Sequence, residues 1–187
     1  MRNIELTQDD KLIYEQEIRP YIPERIFDAH THLIANHLHP RIEETNPLAC
    51  DPLLGDIDLP YLEAWWKALL PHATVEGMVM GFPTVDVMMA EENAYVAEQC
   101  AESGYPFALL THPKTSTEDL EEEILRLKPS VLKPYMVFVE RPDMGNASIT
   151  ELIPEHQLAL ADKYGLAVML HVSKPKGMAD SDNLADI

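Results

Sequence analysis

The chain has 187 residues, 46% of them hydrophobic and 25% charged, which suits one globular domain around a single core. Its formal net charge is −18, from 32 acidic against 14 basic residues; no basic cluster larger than Lys174-Pro175-Lys176 offsets it, so nucleic acid is excluded as an expected partner. No apolar run reaches the roughly 18 residues of a membrane span, Met1-Arg2-Asn3-Ile4-Glu5 has no apolar signal core, and Cys50 and Cys100 make no disulfide framework, so a cytoplasmic protein without membrane attachment is expected.

Residues 1–22 read as an N-terminal helical extension. Thr7 caps it, Asp9 and Asp10 favour its first turn, and Pro20 and Pro23 stop it. A first strand follows over about 25–31, and then a Pro-rich connection over 33–57, a length that is usually functional. The next helix, about Leu59 to Leu70, carries Trp65 and Trp66 as packing residues. Strand two runs from Val75 to Phe82, a helix from about Val85 to Glu102 is ended by Gly104, and strand three runs from Tyr105 to Thr111. Ser116 or Thr117 caps the following helix, which ends near Pro129; its acidic run, Glu118 to Glu123, reads as a solvated face. Strand four spans Val131 to Phe138. A helix covers about Thr150 to Tyr164, with Pro154 suited to a first turn and Gly165 at the end. Strand five spans Leu166 to Val172, and Ser181 to Ile187 begins a further helix. Strands alternating with helices five times over predict an α/β domain across 1–187, with helices covering a parallel sheet.

Chemistry-bearing residues gather at strand ends. The first strand finishes in Phe27-Asp28-Ala29-His30-Thr31-His32. Side chains alternate along a strand, so His30 and His32 project from one face as half of a divalent-metal site. His37 and His39 share that spacing but lie among Asn, Pro and Arg in a loop. His171 ends strand five on the same face as Ala167 and Met169, and Asp28 is expected beside His30 to orient an imidazole or bond to backbone. His112 ends strand three. Lys133, Tyr135 and Arg141 lie on and after strand four; with His112 they are the candidate substrate contacts, Arg141 as a bidentate clamp for a carboxylate. His72 and His156 read as surface residues. Seven glycines and no Gly-x-Gly-x-x-Gly, Gly-x-x-x-x-Gly-Lys or Gly-x-Ser-x-Gly argue against dinucleotide, P-loop and serine-hydrolase chemistry.

The strand-one motif Phe27-Asp28-Ala29-His30-Thr31-His32, taken with His171 on strand five, resembles the amidohydrolase superfamily. Its amidohydrolase-related branch, with hydrolases, lactonases and non-oxidative decarboxylases, is the closer match, over about Arg25 to Asn183. The resemblance implies a (β/α)₈ TIM-type barrel whose strand ends hold a divalent metal, Zn²⁺ first, through His30, His32 and His171. Some superfamily members carry a carboxylated Lys on strand four, but for Lys133 substrate contact or a buried pair is preferred. The family's strand-six His and strand-eight Asp, the usual proton acceptor, have no counterpart. The chain is therefore expected to be an incomplete barrel of about five βα units, with its general base beyond Ile187, since a full barrel takes about 250 residues. The implied activity is metal-dependent hydrolysis of a C–N or C–O bond in a small-molecule substrate. The alternatives are a non-oxidative decarboxylase on the same scaffold and a silent fragment needing a complementing chain. An open half-barrel exposing Met169, Ala167 and Leu132 and two sheet edges is expected to form a homo-oligomer.

Overall fold

The structure, a computed structural model, describes residues 5–42 and 55–171. The expected helix over Ser181 to Ile187, the Lys174 and Lys176 pair and Cys50 lie outside the described residues. The N-terminal extension opens on a reciprocal capping box: Thr7 Oγ1 accepts from the Asp10 amide at 3.1 Å, and Asp10 Oδ2 accepts from the Thr7 amide at 2.8 Å. Helix α1 (Gln8–Ile13) then widens into a π turn over Tyr14–Ile18 and tightens to a 3₁₀ turn over Arg19–Tyr21. Buried Tyr14 anchors the extension by stacking on exposed His72.

Strands β1 (Arg25–His32), β2 (Thr74–Met80), β3 (Phe107–Thr111), β4 (Val131–Pro134) and β5 (Ala167–Val168) form one all-parallel sheet in the order 1-2-3-4-5. Among the described residues the order never reverses, so they form no switch-point crevice of the doubly wound kind. Right-handed crossovers stepping in one direction put the helices on one face, and the twisted sheet curls into a half-barrel. Helices α2 (Leu59–Leu69), α3 (Met89–Ser103), α4 (Thr117–Leu127) and α6 (Glu155–Tyr164) cover the convex side, with a single turn, α5 (Ile149–Leu152), before α6. One convex core joins Leu33, Leu62, Trp66, Val79, Val96 and Phe107; another joins Leu109, Leu120, Ile124, Leu132, Ile153 and Leu160. The concave side carries a smaller cluster of Met80, Ala108 and Val131, with Met78 and Met169 against it. Trp66 is core, as its pattern predicted.

Several boundaries differ from the sequence pattern: β2 ends at Met80 rather than Phe82, β3 starts at Phe107 rather than Tyr105, and the following differ by more or for a visible reason. Helix α3 starts at Met89, not near Val85, because the Met88 amide donates to Leu38 O at 2.9 Å and so holds the first turn on the neighbouring loop. The helix expected over Thr150 to Tyr164 is two pieces: the Ser148–Glu151 capping box starts α5, and Pro154 stands at the N-cap of α6. Strand β4 stops at Pro134 and passes through extended Tyr135 into a 3₁₀ turn over Met136–Phe138. Strand β5 is cut short for the same reason. Ala167 N donates to Ser130 O and Met169 N to Leu132 O, but the next rung needs an N–H at position 134, which proline lacks. Leu132, expected on the inward face, belongs to the convex core, and its neighbours Val131 and Lys133 take the concave side.

Candidate metal centre

A β-bulge decides which β1 side chains meet. Asp28 pairs with Gly77 but Thr31 pairs with Val79, so β1 holds one residue more than β2 over this stretch. Position 77 faces the helices, since a Cβ there would come 2.7 Å from Trp66, and Val79 lies in the convex core. Asp28 and Thr31 therefore both face the helices, while His30 and His32 turn to the concave side. Asp28 does not share their face, as simple alternation predicts. Its Oδ2 accepts from Trp66 Nε1 at 3.3 Å, and its Oδ1 accepts from the His30 amide at 3.1 Å, bracing the bulge.

The two imidazoles converge, with His30 Nε2 and His32 Nε2 3.1 Å apart. His32 Nδ1 lies 2.8 Å from Gly81 O. A carbonyl only accepts, so Nδ1 carries the proton and Nε2 keeps its lone pair. Burial, chiefly, pushes the His32 pKa down to about 4 against the opposing Gly81 bond, with His30, Lys133 and His171 adding like charge. His30 is lowered by burial and Lys133, and His171 by burial, Lys133 and His30. The lowering favours the neutral imidazole in all three, the form that ligates metals.

Behind His32 lies a polar group that sequence reasoning missed. Glu92 of α3 is 0% exposed, and its Oε1 accepts from the Phe82 amide at 3.0 Å. Its Oε2 is 3.5 Å from His39 Nε2, and His39 Nδ1 is 2.9 Å from Thr84 Oγ1. His39 lies in the loop after a 3₁₀ turn over Asn36–Leu38, as expected, but is buried there, while His37 is exposed. Next to Glu92, Asn93 accepts from the Leu110 amide at 2.9 Å and donates to Leu110 O at 3.0 Å, serving β3 where β2 no longer does. A signal was present: Glu92, Val96 and Cys100 recur every four residues on the core side of α3, and a polar residue in that phase needs a reason to be there.

The β4 candidates fall into two groups. Lys133 is 0% exposed and its Nζ has no hydrogen-bond partner among the described residues; it lies 5.4 Å from the Tyr135 ring centroid. Tyr135 in turn packs on His171, ring centroids 4.3 Å apart. Arg141 lies apart, with its guanidinium on both oxygens of Asp143 (2.7 and 3.1 Å) and of Glu151 (3.1 and 2.9 Å). The guanidinium expected to clamp a substrate carboxylate is engaged instead on the chain's own Asp143, in bidentate fashion, and on Glu151 through Nη1. His112 sits at the rim after β3, packed on Phe138 and accepting from the Lys114 amide. His156, half-buried, lies with Nε2 3.0 Å from Thr115 O.

The structure thus brings His30 and His32 together, and Lys133, Tyr135 and His171 beside one another. Among the described residues no three His, Cys, Asp or Glu side chains form a group able to hold a metal ion. His171 lies beyond the last β5 rung and rests on Tyr135 rather than completing a trio. The His30–His32 pair fits a metal on its own chemistry, since two nitrogens each about 2.0–2.1 Å from one ion lie roughly 3 Å apart. No helix among the described residues is long and apolar enough to cross a membrane. No protein-family model, curated protein or solved structure matches the chain.

Proposed function

We propose that the chain is a metal-dependent hydrolase of the amidohydrolase kind, built on a (β/α)₈-type barrel sheet and acting on a C–N or C–O bond of a small substrate. The observation that carries the reading is the His30–His32 pair, 3.1 Å apart at the carboxyl end of β1, with His32 locked by Gly81 O. The sequential parallel sheet supports it, because such sheets place chemistry at strand ends. His30 and His32 would hold the ion, Zn²⁺ first, and His171 would join them on leaving the Tyr135 ring. A bound divalent metal polarises a substrate carbonyl and lowers the pKa of water from 15.7 to about 7. In this reading Tyr135, with the enclosed Lys133 behind it, would contact the substrate, and Met78, Met80, Ala108 and Val131 would give the concave face an apolar floor.

A second reading shares the site. The Lys133 ammonium, which has no hydrogen-bond partner among the described residues, favours a carboxylate-bearing substrate, and such a substrate can lose CO₂ rather than be hydrolysed. Metal analysis after purification without chelator tests the shared premise: wild type should retain zinc and a His30→Ala/His32→Ala double variant should not. Equal, negligible zinc in both would sink both readings. CO₂ release against hydrolysis product over a panel of small acids and lactones then separates them.

A further inference from the structure

We infer that Glu92 is a positioning residue for His32 and acts on it through a single peptide group. The peptide joining Gly81 to Phe82 is engaged at both ends. Its carbonyl accepts from His32 Nδ1 at 2.8 Å, and its N–H donates to Glu92 Oε1 at 3.0 Å. Hydrogen bonds at the two ends of one peptide polarise and orient each other. Carboxyl, peptide and imidazole therefore form a line of three polar groups, with His32 Nε2 at its far end facing His30.

The surroundings hold that line in place. Glu92 is 0% exposed. A Cβ at position 81 would come 2.5 Å from Glu92 Cγ and 2.7 Å from its Oε1, so the carboxyl reaches the peptide only because residue 81 is glycine. On its other side stands His39, itself 2.9 Å from Thr84 Oγ1. The Phe82 ring lies edge-on to both His32 and His39, at centroid distances of 5.6 and 6.2 Å. One and two turns further along α3 the same core phase is filled by Val96 and Cys100, so packing alone does not call for a carboxyl at position 92. Partners placed behind a ligating histidine fix its tautomer and ring orientation. Here the partner is a peptide, and Glu92 is what keeps the peptide from turning.

The inference rests on the reading of His30 and His32 as ligands for its zinc readout but not for its structural one. The 187-residue chain is compared as wild type, Glu92→Gln and Glu92→Leu. Gln keeps an acceptor oxygen of the same reach; Leu keeps the bulk and removes it. In metal-free protein, long-range ¹H–¹⁵N spectra of the imidazoles should show His32 as the Nδ1–H tautomer in wild type and Gln, and as a mixture in Leu. Zinc should bind the Leu variant roughly 10–100-fold more weakly than wild type, with the Gln variant within a few-fold. A His32 tautomer that is the same in all three proteins, or a Gln variant that behaves like Leu, overturns the inference. A wild type that takes up no zinc while its tautomer still follows the residue-92 acceptor defeats the metal reading and leaves this one standing.

Discussion

Lys133 and His32 lie on one face, and burial disfavours the charged form of both, at neutral pH for the lysine and in acid for the histidine. Burial pushes the Lys133 ammonium down to about 8, so at pH 7 it is charged, wholly enclosed and without a hydrogen-bond partner among the described residues. An unpartnered buried charge is destabilising. Lys133→Met should therefore raise the unfolding free energy by about 1–3 kcal/mol in urea titrations; a fall of similar size would mean that the ammonium meets a partner in solution. His32 works through protons. Its folded pKa is about 4 against an ordinary 6.5, so between those values the unfolded chain binds a proton that the folded chain refuses. Stability is full above about 6.5 and drains away as the pH falls towards 4, by at most about 3 kcal/mol. His30, His112 and His171 are lowered too and add in the same direction. Unfolding midpoints of metal-free protein from pH 7 to 4 should show the loss, with a flatter slope in His32→Asn. Parallel curves would contradict it.

At the scale of elements, two contacts inside the β2–α3–β3 unit hold the site's back wall. Asn93 meets both backbone groups of Leu110. Asn93→Leu keeps the branched shape but orphans a buried N–H and a buried C=O, which should cost about 2–4 kcal/mol and speed hydrogen exchange at the Leu110 amide. Gly81→Ala drives a methyl into Glu92 and should cost about 1–3 kcal/mol in the same titration. Legibility follows from where the information lies. Thr7, Ser116 and Gly104 sit where the helix ends need them, because capping depends on residues within one turn. The start of α3 and the short β5 were illegible, because a contact from Leu38 and the missing N–H of Pro134 act from other elements. The bulge hid Asp28 in the same way: strict alternation is a rule for an unbroken strand, and one extra residue swaps its faces.

For the whole molecule, the sheet has two ends. Among the described residues β1 and β5 each have one strand neighbour, and Phe27, which pairs with Glu76 on the concave side of β1, is 51% exposed. Unpaired strand edges beside apolar surface are templates for association. Sedimentation velocity should therefore show a concentration-dependent species larger than the 21.2 kDa monomer. A monomer that stays unchanged across a broad concentration range would argue that the edges are covered.

By itself the sequence determined the alternation of strands and helices, the parallel sheet and the strand-end place of His30 and His32, since each follows from residue order, hydrophobic period and turn chemistry. Tertiary structure alone decided which polar groups meet. It put Asp28 behind the sheet, closed Arg141 on Asp143 and Glu151, rested His171 on Tyr135, and set Glu92 against the peptide that holds His32. The physical reason is that a hydrogen bond is settled at a scale of tenths of an ångström, while sequence pattern places a side chain only on a face. The distance between those two precisions separates a pair of histidines on one strand from a working centre.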